Sequence, residues 1–218
     1  MFDLPNFDKS FEYENDFYLS CDPSRIGKIL IHYELFKMTL KIPGEIVDCG
    51  VFKGVSLSRF ATFLKLFNID KKVIGFDTFE KFPPTNFEQD FDAREKFIND
   101  AGENCISTEQ LESVISHKDI KNYVEIVKGD ITKSVPEFVQ KHSDLKISLL
   151  NLDVDIYEPS VSILESLYPK LSTGGILILD DYDKFPGETK AVDDYFKDEN
   201  IEILEFPFSK HPKYIIKK

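Results

Sequence analysis

Apolar residues along this chain fall into two alternating rhythms. Short continuous runs (EIVDCG, KKVIGFD, VEIVKGD, ISLLNLD and GGILILD) read as strands, because a run such as Ile176–Leu179 has no polar side and must be covered on both faces. Between them apolar positions recur at helical spacing. Phe60, Phe63, Leu64 and Phe67 follow the first run, Ile163, Leu164 and Leu167 the fourth, and Ala191, Val192, Tyr195 and Phe196 the fifth. An earlier helix opens at Asp22-Pro23, an acid cap with proline in the first turn. It carries Ile26, Ile29, Leu30, Tyr33, Phe36 and Leu40 and stops at Pro43-Gly44. The end of the chain, IEILEFPF then KYIIKK, reads as an antiparallel hairpin. Alternating units of this kind predict an α/β fold with a doubly wound, mostly parallel sheet, seven-stranded once the hairpin is counted. A single domain is expected, with residues 1–21 as an N-terminal arm that shows no clear periodicity. Residues 80–107, rich in Phe, Asp, Glu and Asn and carrying Pro83-Pro84, are too long for an ordinary connection and form a candidate lid.

Charge narrows the partners. The 218 residues carry 27 basic and 39 acidic side chains, a formal charge of −12, with no basic run, which argues against nucleic acid. Cys21, Cys49 and Cys105 are odd in number and unpatterned, so neither a disulfide framework nor a cysteine zinc site is suggested. No apolar stretch approaches about 18 residues and the first residues lack a leader pattern, so no membrane is expected and the cytoplasm is the expected address.

The chemistry concentrates where two strands end in paired acids: Asp153 and Asp155 after ISLLNL, Asp180 and Asp181 after GGILIL. Ligands of parallel sheets sit beyond the carboxyl ends of the strands, so four carboxylates point at one place. Each unrelieved close pair costs about 4 kcal/mol at intermediate dielectric. A hard divalent cation with oxygen ligands would relieve it. The first strand runs into VDCGVFKG, where Gly50 and Gly54 allow close backbone approach and a helix N-terminus offers free amides. This departs from G-x-G-x-x-G and counts against a nicotinamide enzyme. Asp48 stands where it could accept from an amine or an ordered water. Asp77 ends the second strand, where an acid accepts from ribose hydroxyls. Asp130 ends the third and either touches an adenine edge or caps the helix placed after Ser134. Tyr157 and Tyr182 flank the acids as pocket lining or as core, and His32, His117, His142 and His211 belong to no motif.

On these residues the chain resembles a known family. Asp48-x-Gly50-x-x-x-Gly54, Asp77 and Asp130 are similar to the cofactor set of class I S-adenosylmethionine-dependent methyltransferases, whose Rossmann-like fold is the one expected above. More narrowly, GVFKG, FDTFEKFPP, LDVDIYEPS, LYPKLSTGG, ILDDYDKFPG and KAVDDYF resemble the macrocin-type sugar O-methyltransferases, in order from about Gly44 to Phe196. The resemblance implies that Asp48, Gly50, Gly54, Asp77, Thr78, Asp130 and Asp153 hold S-adenosylmethionine. It further implies that Asp153, Asp180 and Asp181 bind Mg2+, that Asp155 is the general base, and that a homodimer forms. The acceptor would be a sugar, as a nucleotide sugar or a glycoside. The chemistry agrees: a sugar hydroxyl is a poor nucleophile, magnesium would acidify and align it, and a neighbouring carboxylate would take its proton. Catechol-type relatives place a lysine base after the first metal acid, whereas Ile156, Tyr157 and Glu158 follow here, which favours Asp155 or a base borrowed from elsewhere. An anionic acceptor would need help against the charge of −12, from the metal or from lysines such as Lys81, Lys184 and Lys213. Two rivals remain: a glycosyltransferase using Asp153-Val154-Asp155 as a metal–diphosphate motif, and a non-catalytic protein that binds S-adenosylmethionine. A signalling receiver is discarded, because only 37 residues follow Asp181.

Overall fold

The computed structural model describes residues 3–218; Met1 and Phe2 of the expected arm lie outside the described residues. Helices α1 (Ser10–Ser20) and α2 (Pro23–Met38) lead into β1 (Glu45–Cys49), α3 (Val55–Phe67) and β2 (Val73–Asp77). Helices α4 (Phe91–Ala101) and α5 (Thr108–Lys118) come next, then β3 (Val124–Lys128) and α6 (Ile131–Lys141). Strand β4 (Ile147–Leu152), α7 (Tyr157–Leu167), β5 (Leu171–Leu179) and α8 (Pro186–Phe196) follow, and the hairpin β6 (Leu204–Phe206) and β7 (Ser209–Ile216) closes the chain. The sheet order is β3-β2-β1-β4-β5-β7-β6, with β7 antiparallel to both neighbours, as the patterning requires.

The two-residue period of a strand sorts the core into two layers. Ile46, Leu149, Ile176 and Ile178 pack with Ile31, Leu35, Leu57, Phe60 and Leu111, on the side of α2, α3 and α5. Val47, Leu150, Leu177 and Leu179 face the other way, onto Val135, Ile163, Leu164 and Val192 of α6, α7 and α8. Fully burying each such side chain is worth about 1.5–3 kcal/mol. This is why the strands carry no polar alternation.

Three helices lie where the sequence pattern shows none. Neither α1 nor α4 buries any residue, and a helix without an apolar stripe leaves no period to read. Helix α5 buries only Leu111 and Ile115, although its capping box, Ser107 with Gln110, is a signal readable in the sequence. Helix α6 begins at Ile131 rather than after Ser134, with the Asp130 side chain accepting from the Thr132 amide at 3.0 Å. The segment 80–107 is fastened to the sheet side by two acids. Glu158 accepts from the Thr85 hydroxyl at 2.8 Å and the Asn86 amide at 2.7 Å. Buried Asp90 accepts from the Tyr157 amide at 3.0 Å and the Gly187 amide at 2.6 Å. Among the described residues, no helix is long and apolar enough to cross a membrane. Strand order reverses between β1 and β4, so their carboxyl ends open the crevice where α/β folds receive ligands.

Candidate active site

That crevice holds a cavity of about 1070 Å3. Its floor is the turn after β1, where Gly50 has φ +92° and a Cβ would lie 1.7 Å from the carbonyl oxygen of Asp153. Only glycine lets the ends of β1 and β4 close this tightly. Asp77 ties the loops together: one carboxylate oxygen accepts from the Phe52 amide and the other from the Phe79 amide, each at 2.9 Å. It still lines the cavity beside Thr78, with Asp130 on the same lining.

Two of the expected cofactor residues do not reach the cavity. Asp48 is fully buried, its oxygens accepting from Ser56 Oγ at 2.8 Å and Asn151 Nδ2 at 2.7 Å, because alternation along β1 turns it toward α3. Burial pushes its carboxyl up to about 6, against those two bonds. Gly54 caps α3 in a left-handed conformation, φ +80°, and faces Leu111 and Ile106. Both residues shape the turn that floors the cavity.

The four acids divide according to the pleat. Asp180 continues the Ile176–Ile178 face toward α2, while Asp181 continues the Leu177–Leu179 face toward α8. Lys28 of α2 meets the first set, its Nζ 2.7 Å from Asp180 Oδ2 and 3.3 Å from Asp153 Oδ2. The Asp181 amide donates to Glu188 Oε1 at 2.9 Å, and Lys184 Nζ lies 3.2 Å from the Asp181 carboxylate. Asp155, with φ +65°, turns back after the strand, and oxygens of Asp153, Asp155 and Asp181 all fall within 4.8 Å of one another. The grouping adds Asp155 to two of the expected ligands, Asp153 and Asp181, while Asp180, the third, shares Lys28 with Asp153.

Electrostatics follow from this sharing. Burial acts upward on Asp180, but Lys28 outweighs it and holds the carboxyl at about 2. Burial and the Asp180 charge raise Asp153 well above the carboxylate range, burial and Asp181 do the same to Asp155, and Glu188 is raised likewise. Asp180 Oδ1 and Glu188 Oε2 are buried without a hydrogen-bond partner. A set of hard carboxylate oxygens, strained by mutual repulsion and with buried acceptors unfilled, suits a hard divalent cation.

Several cavity residues carried no signal in the sequence. Arg25 and Lys28 of α2, Arg59 of α3, and Lys210 and His211 of β7 line it together with Lys184. Of the lysines proposed to help an anionic acceptor, Lys81 instead pairs with Glu103 at 2.7 Å and Lys213 with Asp183. Tyr157 and Tyr182 pack against the core rather than line the cavity, their hydroxyls donating to Asp194 at 3.2 Å and Asp193 at 2.9 Å. The aromatic lining comes from Phe52, Phe82, Phe97 and Phe185 instead. Phe82 and Phe97 belong to the 80–107 segment.

Comparison with known proteins bears on this site as a whole. The demethyldecarbamoylnovobiocin O-methyltransferase of Streptomyces niveus is 27% identical over 161 residues, covering 71% of this chain and 58% of that protein. The 8-demethyl-8-(2,3-dimethoxy-α-L-rhamnosyl)-tetracenomycin-C 4′-O-methyltransferase of Streptomyces olivaceus is 27% identical over 146 residues, 65% of this chain and 54% of that one. This chain thus spans little more than half the length of these two relatives. Among solved structures, the apo TDP-rhamnose 3′-O-methyltransferase of calicheamicin biosynthesis superposes with a TM-score of 0.68 at 25% identity, over 95% of this chain and 86% of that one. These likenesses favour neither a glycosyltransferase nor a new fold. The model of the macrocin O-methyltransferase family matches residues 36–205, a span that includes every acid of the cluster. By that match the chain belongs to the macrocin O-methyltransferase family.

Proposed function

We propose that this chain is an S-adenosylmethionine-dependent, magnesium-assisted O-methyltransferase of a sugar hydroxyl. One observation carries the reading: a single cavity runs from Asp77, Thr78 and Asp130 to the carboxylate cluster of Asp153, Asp155 and Asp181. When bound, the donor supplies a methyl group on an electrophilic sulfonium, and the ion supplies a positive charge that acidifies a hydroxyl. The rest falls to the chain's own residues. Asp77 keeps lone pairs for ribose hydroxyls beyond the two amides it already serves, and Thr78 stands beside it. Asp130 faces the adenine end. Asp153, Asp155 and Asp181 would hold the cation, whose charge would offset the repulsion that raises Asp155, and the ionised Asp155 carboxylate would take the hydroxyl proton, a contribution of about 10²–10⁴ in rate. Phe82 and Phe97 keep water from the reacting atoms, and the segment that carries them is assigned the role of a cover. The relatives' names point to sugar-bearing small molecules: one acts on a rhamnosyl tetracenomycin, and the solved neighbour on TDP-rhamnose.

The reading is tested by calorimetry with S-adenosylhomocysteine, followed by methyl transfer to a panel of nucleotide sugars and glycosides with and without magnesium. Binding of the demethylated cofactor and magnesium-dependent transfer are expected. Asp181→Asn should lose magnesium-dependent turnover while keeping S-adenosylhomocysteine affinity. Failure of the cofactor product to bind the unaltered protein rejects the proposal.

A further inference from the structure

The chain has three arginines, Arg25, Arg59 and Arg94, and 39 acidic residues available to pair with them. Arg94 holds the 80–107 segment, donating to the carbonyls of Pro83 at 2.7 Å and Phe82 at 2.8 Å. The other two line the cavity, and among the described residues neither makes an ion pair with a carboxylate. Arg59 is half-buried, and its guanidinium lies 3.1 Å from Nδ1 of His32. Burial and the charge of Arg25 push Arg59 below its ordinary value against the opposing pull of Asp180, Asp48 and Asp153, and burial with the neighbouring Lys28 and Arg59 cations lowers His32. His32 is therefore neutral and gives the guanidinium no charge compensation. Two like charges, Arg25 exposed and Arg59 half-buried, are thus held near each other on one wall with no carboxylate, among the described residues, in ion-pair contact with either.

Planar guanidinium forks in that state suit phosphate oxygens, which accept two parallel hydrogen bonds from each. Their place in the cavity matters as much as their chemistry. Arg25 lies one helical turn, about 5 Å, before Lys28, whose ammonium touches Asp153 and Asp180 of the acid cluster. A sugar with one hydroxyl at the acids would share its cavity with Arg25 and Arg59, which would be placed to receive its anomeric substituent. Lys210, on β7, adds a further exposed cation to the same cavity. Arg25 and Lys210 both fall outside residues 36–205, so most of this wall is built by segments beyond the family match.

We infer that Arg25 and Arg59 form an acceptor subsite for a diphosphate, so that the methylated sugar is carried on a nucleoside diphosphate rather than on a finished neutral glycoside. The inference rests on the methyltransferase reading above and deepens it. It also answers how an anion enters a chain of charge −12: the negative field is reversed locally on one wall of the cavity. A methyltransferase of this kind acts on activated sugars, before a glycosyl-transfer step consumes them.

The test is calorimetry on the full chain with uridine diphosphate and inorganic pyrophosphate in metal-free buffer, so that no cation can bridge phosphate to the acids. Arg25→Gln, Arg59→Gln and the double variant are compared, each also titrated with S-adenosylhomocysteine. The unaltered protein should bind both diphosphates. The double variant should lose at least about 10-fold in diphosphate affinity, the scale of charge-assisted bonds, with S-adenosylhomocysteine affinity unchanged. Arg25 is exposed, so its single variant keeps the test in force should Arg59→Gln fail to fold. Diphosphates that do not bind while S-adenosylhomocysteine does overturn this inference alone. Loss of S-adenosylhomocysteine affinity in the variants, with diphosphate binding intact, also overturns it, by giving the arginines to the cofactor's carboxylate. Absence of S-adenosylhomocysteine binding to the unaltered protein would instead remove the methyltransferase reading beneath it.

Discussion

Replacing Lys28 by Met removes the one ammonium that touches both Asp153 and Asp180, while keeping most of the volume of its stem. Burial by itself would lower the Lys28 pKa, yet Asp153 and Asp180 more than reverse that and raise it, so the side chain is a fixed cation. The contacts are 2.7 and 3.3 Å, with 23% of the lysine side chain and 6% and 19% of the two aspartates exposed. At an effective dielectric of about 20, the attraction to ionised Asp180 is on the order of 6 kcal/mol before desolvation is subtracted, and Asp153, raised toward its neutral form, adds less. Removing one partner of such a buried pair typically costs about 3–5 kcal/mol, because the charge left behind is uncompensated. Taking about 3 kcal/mol, and about 2–4 °C per kcal/mol for a chain of this length, the melting temperature should fall by roughly 6–12 °C in EDTA. Saturating magnesium should recover part of the loss, since a cation at the cluster replaces the missing charge and no longer competes with lysine. Thermal melts of both proteins in EDTA and in magnesium decide the matter. A fall under about 2 °C in EDTA, or the same fall in both buffers, would refute the account of Lys28 as the resident counter-charge.

Three other outcomes are expected. Gly50→Ala places a Cβ 1.7 Å from the Asp153 carbonyl oxygen at φ +92°, so it should cost more than about 3 kcal/mol in urea unfolding; near-native stability would show that the ends of β1 and β4 can part freely. Asp48, pushed up to about 6 by burial from an ordinary 3.8, contributes stability that is full below about pH 3.8 and lost as pH rises through about 6. At about 1.4 kcal/mol per unit the loss is on the order of 3 kcal/mol; Asp48→Asn should flatten this slope in a denaturation series, and identical slopes would contradict it. Asp90→Ala strands the Tyr157 and Gly187 amides, at about 1–3 kcal/mol each, and should speed hydrogen exchange across residues 80–107 while leaving β1 and β4 protected. Unchanged exchange in that segment would mean that Asp90 is not its fastening.

How much was legible in the chain depended on whether the relevant physics is local. The five parallel strands were readable because burial on both faces forbids polar residues in runs such as Ile176–Leu179. The opposite directions of Asp180 and Asp181 are equally a consequence of the two-residue period, and reading it through the end of β5 would have given Asp180 to α2. Asp155 was not readable in this way, because its left-handed turn interrupts the alternation. Helices α1 and α4 escaped because they bury nothing. Lys28 and Arg59 escaped for a different reason: a cation on an amphipathic helix reads as solvent-facing, and the partners that hold these two inward, Asp153 and Asp180 for Lys28 and His32 for Arg59, are distant in sequence.

Adjacent residues at the tip of β5 look into different halves of the molecule, one toward the helix that carries Lys28 and the other toward the helix that carries Glu188. The two linings of the cavity can therefore change largely apart from each other, with Lys28 on Asp153 as the link between them. Changes in the amino-terminal helices would retune what is admitted from one side, while the opposite layer, within the family-matched span, keeps its contribution intact. On the proposed methyltransferase reading, a scaffold divided in this manner lends itself to exchanging its first forty or so residues among relatives as a way of redirecting the acceptor.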